Sequence, residues 1–210
     1  MDAHNFFVFA IASLMLNITP GNDMLYVASR SAGQGIRAGV VSSLGIMAGC
    51  MVHIIAAVAG ISVIIARSAT AFDVIKYMGA AYLMYLGIKA LANRKASSFV
   101  LESKIHSVSY RNIFWQGVIT NVLNPKVALF FLAFLPQFID MKIENPQWKI
   151  LFLGLWFDCS GTIVNILVSI AFGKMGNWLG NSPRYLKFQE KMTGCLLIAL
   201  GIKVALTSKK

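Results

Sequence analysis

Two carboxylates, a histidine and a lysine stand inside otherwise apolar stretches: Asp23 in "LNITPGNDMLY" (16–26), His53 ending "SLGIMAGCMVH" (43–53), Lys126 in "NVLNPKVALF" (121–130) and Asp158 in "FLGLWFDCSGT" (152–162). An ionisable side chain in an apolar span costs about 2.5–3.5 kcal/mol to insert, so it faces a cavity or pairs with another group. Asp23 either faces such a cavity or caps a helix at the interface near Arg30. Asp158 lies deeper in its segment and is either a proton carrier or the structural partner of Lys126 or His53. His53 handles substrate or protons, or packs as a hydrogen-bonding residue. Lys126 neutralises a carboxylate, or snorkels to the interface. Two prolines sharpen the pattern. Pro20, followed by Gly21 and Asn22, has no N–H for the carbonyl of Leu16; Pro125, flanked by Asn121, Asn124 and Lys126, repeats the defect. Freed backbone in hydrocarbon costs several kcal/mol unless protein, water or ligand satisfies it. A molecule bearing both a carboxylate and an ammonium group, an amino acid, would find partners of both kinds here. Asn121 and Asn124 add uncharged donors and acceptors, or serve as interhelical glue.

These residues need spans to hold them. The 210 residues are 57% hydrophobic and 13% charged, with mean hydropathy +0.68, too apolar for a water-soluble domain. A bilayer core of about 30 Å takes roughly 20 apolar residues per helix, and residues 38–66 contain no Asp, Glu, Lys or Arg. The chain is expected to be an all-α integral membrane protein with six transmembrane helices near 5–28, 38–66, 72–92, 112–139, 149–173 and 187–207. "MDAHNFF" lacks the basic region and cleavage site of a secretory signal, so the first span is expected to stay. Cys50, Cys159 and Cys195 have no metal-binding or disulfide spacing and are read as packing residues. No HExxH, GxSxG or phosphate loop is present, which argues against an enzyme and implies no cofactor and no metal. The formal charge of +11 flanks the spans instead of lining one face with aromatic residues, so nucleic acid is not the expected partner. Gly45 and Gly49 form a GxxxG packing surface, and Trp115, Trp148, Trp156 and Trp178 are expected in the interfacial belts, against lipid.

The chain also resembles itself. "MGAAYLMYLGIK" (78–89) and "MTGCLLIALGIK" (192–203) share six of twelve residues at an offset of 114. Earlier in each half, "SLGIMAGCMVH" corresponds to "FLGLWFDCSGT", and "NITPGNDML" to "VLNPKVALF". One transmembrane unit spanning 1–210 follows: repeat one over about 5–92, a cytoplasmic connecting loop over about 93–111, and repeat two over about 112–207. Three helices per repeat invert the second against the first, as in many secondary transporters whose sites lie where interrupted helices meet. Basic residues gather in the odd-numbered loops (Arg30, Arg37, Arg94, Lys95, Lys104, Arg111, Lys174, Arg184, Lys187) more than in the others (Arg67, Lys142, Lys149, Lys209, Lys210). The positive-inside rule then puts both termini outside.

"ITPGNDMLYVASRSAGQGIRAGVVSSLGIMAGCMVH", "YMGAAYLMYLGIKAL" and "GVITNVLNPKVALFFLAFLPQFI" resemble the lysine exporter and homoserine/threonine resistance (LysE/RhtB) family of bacterial amino-acid effluxers over essentially the whole chain. The shared features are TPG, the GxxxGxxxH run of Gly45, Gly49 and His53, GAAYLxYLG, and NPK, in the family's order. Where relatives commonly carry PGPD or PGPN this chain has Asn22, which implies a softer break at Pro20. The resemblance implies an exporter of amino acids or related metabolites in the bacterial plasma (inner) membrane, driven by proton antiport. A passive channel or ion transporter on the same scaffold is the alternative. A homodimer is compatible with the sequence.

Overall fold

The computed structural model of the chain describes residues 3–67, 69–92, 108–139 and 145–180, with scattered positions between 191 and 206. Everything described is helical or turn, without a strand. The expected first span, 5–28, is two helices: α1 (Ala3–Ile18) ends before Thr19, and α2 (Asn22–Gln34) begins after Gly21. Pro20 and Gly21 thus separate two helices without a second proline, because Gly21 adopts an extended conformation that a helix interior does not contain. The first loop is shorter than expected. Arg30 sits inside α2, and Gly35 alone separates α2 from α3 (Ile36–Arg67). Its φ of 85° lies in the left-handed region where a Cβ would be strained.

The third expected helix is α4 (Ala69–Ala92). The fourth, 112–139, is also interrupted. It opens as α5 (Tyr110–Val122), capped by Ser109, breaks at Leu123–Asn124, and resumes as the short α6 (Pro125–Leu129). The Asn124 side chain accepts from Lys126 N at 3.0 Å, so Asn124 is the N-cap and Pro125 the first helical residue, where its missing N–H costs nothing. The chain continues as a π-helical turn, Phe130–Phe134, and a 3-10 turn, Leu135–Phe138; the two arms meet at 44°. The fifth expected helix is longer than read, α7 (Pro146–Gly180). The expected sixth helix, 187–207, and most of the connecting loop, residues 93–107, lie outside the described residues except for the scattered helical positions.

By length and apolarity, two described helices can cross a membrane, within Ile36–Gly60 and Pro146–Lys174, and the bent α5–α6 pair makes a third if counted as one span. Burial is reversed relative to a water-soluble domain. Ser13, Ser31, Ser42, Ser43, Asn121, Asn124, Asp158, Asn165 and Ser169 are inside, whereas Ile55 on α3 and Ile163 and Leu167 on α7 are each at least 60% exposed. Such a surface suits lipid, and Trp115 and Trp148 also point outward. Helix α3 is the axis of the fold, packed along both α5 and α7. Against α5 the approach is backbone to backbone: a Cβ on Gly45 would collide with Phe114 O, one on Gly49 would lie 2.7 Å from Val118 O, and one on Gly117 2.8 Å from Ser42 O. The core beside this contact is aromatic, with Phe9, Phe130, Phe131, Phe134 and Phe157 buried and Phe130 stacked on Phe157 at 4.1 Å.

Candidate functional site

Each proline frees a carbonyl four residues earlier, and each freed carbonyl is taken up by a side chain from the other half of the sequence. At the first break, Lys126 Nζ donates to Leu16 O at 3.1 Å and to Thr19 O at 2.9 Å. Its ammonium also sits at the negative end of the α1 dipole. At the second break, Asn121 O accepts from Asn124 N at 2.9 Å and meets His53 Nε2 at 3.1 Å. A carbonyl only accepts, so Nε2 carries the proton. The imidazole is steadied by stacking on Phe131, with ring centroids 6.0 Å apart. His53→Ala removes one of two donors to Asn121 O, Asn124 N remaining, and is expected to cost about 0.5–1.5 kcal/mol, read as a lower melting temperature in detergent. His53→Gln, which restores an N–H donor, should recover part of the loss.

Asp23 is in the first turn of α2, the positive end of that helix. Its Oδ2 accepts from Asn121 Nδ2 at 2.9 Å, and Asn124, Lys126 and His53 lie close around it. The breaks therefore meet: "TPGND" and "NPK" share one cluster, and a Cβ on Gly21 would come within 3.1 Å of Lys126 Nζ. Asp158 is on the opposite wall, on α7. It contacts neither Lys126 nor His53, whose hydrogen bonds go to the freed carbonyls; the side chain against it is Cys50 of α3. Between the walls is a cavity of about 430 Å³ including its open mouth, lined by Asp23, Lys126, Asn121, Cys50 and Asp158. Its enclosed part is small, about 30 Å³, room for one or two water molecules. Of the sequence-derived candidates, His53, Asn124 and Pro125 stand behind this lining, Pro20 and Gly21 form the break itself, and Asn22 is exposed.

Sequence reading missed part of the wall. Gly161, Thr162 and Asn165 line the cavity beside the expected Asp158, three, four and seven residues after it on one face of α7. That polar stripe was available as a signal in "DCSGTIVN". Asn17, the residue before the break, was passed over too. Its Nδ2 donates to Phe157 O and Ser160 Oγ, both at 3.0 Å, and its amide lies 3.1–3.2 Å from where a Cβ on Gly161 would stand, tying the end of α1 to α7. Cys50 is buried, as a packing residue would be, yet it faces the cavity.

Buried polar atoms normally have partners, in the protein or in ordered water. Among the described residues six buried side-chain atoms lack one within the protein; four of them, on Asp23, Asn121, Asp158 and Thr162, belong to residues that line this cavity, and Asn124 Nδ2 lies behind it. No described group of three or more His, Cys, Asp or Glu could hold a metal ion.

Interrupted helices that meet at a polar cavity inside an apolar bundle are an arrangement found in membrane transporters. The LysE type translocator family profile matches residues 14–208, and the chain belongs to that family. It is 31% identical to a protein of Bacillus subtilis described as an uncharacterized membrane protein, over 97% of this chain and 100% of the relative. It is 28% identical to a homoserine/homoserine lactone efflux protein of Salmonella typhimurium, over 95% of each chain. A leucine efflux protein of Salmonella choleraesuis is 23% identical, over 96% of this chain and 94% of the relative. No solved structure matches the chain.

Proposed function

We propose that this protein is a secondary transporter that exports amino acids or closely related metabolites across the bacterial inner membrane in exchange for protons. The observation that carries the proposal is the cluster of unpartnered buried polar atoms at the meeting of the two breaks. An amino acid's ammonium supplies part of what they lack, donating to Asp158 Oδ2 and Thr162 Oγ1 on the cavity wall. The relatives named for homoserine and leucine efflux support an amino acid as cargo.

The transport cycle is a rocking of two inverted three-helix repeats, over about 5–92 and 112–207, that form one transmembrane unit with both termini outside and act without a cofactor. Each half opens with a broken helix followed by a long unbroken one, α1–α2 then α3 and α5–α6 then α7. A crossed pair of contacts supports the same relation. A Cβ on Gly87 would meet Gly194 O at 2.7 Å, and a Cβ on Gly201 would meet Ala80 O at 2.8 Å. At the offset of 114, Gly87 corresponds to Gly201 and Ala80 to Gly194, so an exchange of the halves turns one contact into the other.

The test is transport by purified protein in vesicles, with a panel of labelled amino acids headed by leucine and homoserine. A pH gradient is expected to drive at least one of them uphill, and a protonophore to abolish the accumulation. Equilibration without accumulation would make the protein a channel, and no flux of any panel member would remove the amino-acid reading.

A further inference from the structure

The cavity holds two carboxylates in different circumstances. Asp23 has one oxygen without a hydrogen-bond partner, Oδ1, but is engaged through the other: Oδ2 holds Asn121 Nδ2, Lys126 and His53 lie within electrostatic range, and the start of α2 adds its dipole. A proton arriving there would have to compete with all of them. Asp158 is only 4% exposed, and its Oδ2 has no hydrogen-bond partner. The charged and titratable groups around it are Cys50 of α3, which contacts it, and Asp23 of α2 and Lys126 of α6, which line the same cavity; His53 of α3 is turned to Asn121 O. From α7 itself the cavity receives the neutral Thr162 and Asn165, and Thr162 Oγ1 is unpartnered as well.

We propose that Asp158 is the single carboxylate for which the proton and the substrate's ammonium group compete, with Thr162 Oγ1 as the second acceptor of that ammonium, and that Asp23 is a positioning residue. This inference rests on the amino-acid antiport reading above and assigns its coupling group. A buried carboxylate without a counter-charge is costly in an apolar bundle. A proton removes the charge, and an ammonium balances it, but the two cannot occupy the same oxygen together. The empty, ionised site is therefore the form least able to pass through the closed intermediate of a rocking cycle. Exchange of one ligand for the other becomes obligatory, without a separate proton pathway. The sign follows: protonation removes the acceptor, so acid weakens substrate binding, favouring release on the acidic side and loading on the alkaline side.

The experiment is counterflow in vesicles held at equal pH on both faces, with labelled leucine and homoserine as probes and 4-methylpentanoate, leucine without its amino group, as competitor. For wild type the half-saturation concentration is expected to rise on acidification by up to about tenfold per pH unit, the limit for one competing proton. Asp158→Asn is expected to bind more weakly, to lose that slope, and to lose its preference for leucine over 4-methylpentanoate. Asp23→Asn keeps the slope whatever its effect on affinity. Thr162→Val weakens binding several-fold with the slope intact, and Asp158→Glu keeps the slope with altered affinity, so the assignment stays testable if the Asn variant fails to fold. A slope that survives in Asp158→Asn, that vanishes in Asp23→Asn, or an Asp158→Glu variant identical to wild type at every pH, overturns the assignment. Wild-type protein that exchanges neither probe overturns the antiport reading beneath it instead.

Discussion

Lys126→Met is expected to lower stability by roughly 2–6 kcal/mol, because two carbonyls, Leu16 O and Thr19 O, lose the ammonium that satisfies them and each unsatisfied group costs about 1–3 kcal/mol. Methionine has nearly the length of lysine and packs in apolar surroundings, so the loss reports the hydrogen bonds more than the volume. The measurement is the melting temperature and the monodisperse fraction of the extracted protein. Two double variants separate the causes. If Lys126 served mainly to balance Asp23, Asp23→Asn would rescue Lys126→Met. The geometry predicts partial rescue from that change, since Asp23 loses its ammonium neighbour but the two carbonyls stay bare, and a separate partial rescue from Pro20→Ala, which returns an N–H to the residue that Leu16 O would bond in an unbroken helix. Transport should fail in all of these, since mending the helix removes the break around which the cavity is built. Full stability of Lys126→Met would show that water or another group already serves those carbonyls.

Gly45→Leu is expected to be the most damaging change away from the cavity. Even a methyl group at residue 45 would strike Phe114 O, and on the facing helix a Cβ at Gly117 would stand 3.2 Å from Gly45 Cα. Overpacking ordinarily costs about 1–3 kcal/mol when neighbouring side chains can turn aside. Here the obstacle is backbone, so α3 and α5 must separate as bodies, and a loss of about 3 kcal/mol or more follows. Gly49→Ala pushes on Val118 O and Asn121 Cβ, and should weaken transport beyond its effect on stability because Asn121 holds Asp23. Gly60, also on α3, has nothing within 4 Å of its would-be Cβ; Gly60→Leu is the control expected to fold normally. Equal melting temperatures for the Gly45 and Gly60 variants would contradict the close approach of the two helices.

The position of the two breaks was legible because proline acts locally. Pro20 and Pro125 withhold an N–H from Leu16 and Asn121 whatever surrounds them, and the sequence shows both at corresponding points of two similar halves. How deeply the first break cuts was not legible. The missing second proline implied a soft bend, yet the chain forms two helices, since the extended Gly21 and the Lys126 cap make separation affordable. The first loop was misjudged for a related reason. "RSAGQGIR" has turn composition, but Ser31 bonds Ser169 O and Tyr26 bonds Ile113 O, and these tertiary contacts carry α2 as far as Gln34.

The sequence by itself determined that this is a helical membrane protein, since hydropathy and proline chemistry act over a few residues and need no partner. It also carried the family, whose motifs are short runs in order. Which groups are engaged and which are open was decided by the tertiary structure alone. Lys126 and Leu16 are separated by 110 residues, His53 and Asn121 by 68, and Asn121 and Asp23 by 98, so no local pattern announces that the lysine caps a helix end or that Asp23 is held. Asp23 and Asp158 look alike in sequence, each an acid in an apolar run. Packing separates them, because the Asn121 amide and the Lys126 ammonium beside Asp23, and the Cys50 thiol beside Asp158, are brought there by the assembled helices and not by either segment.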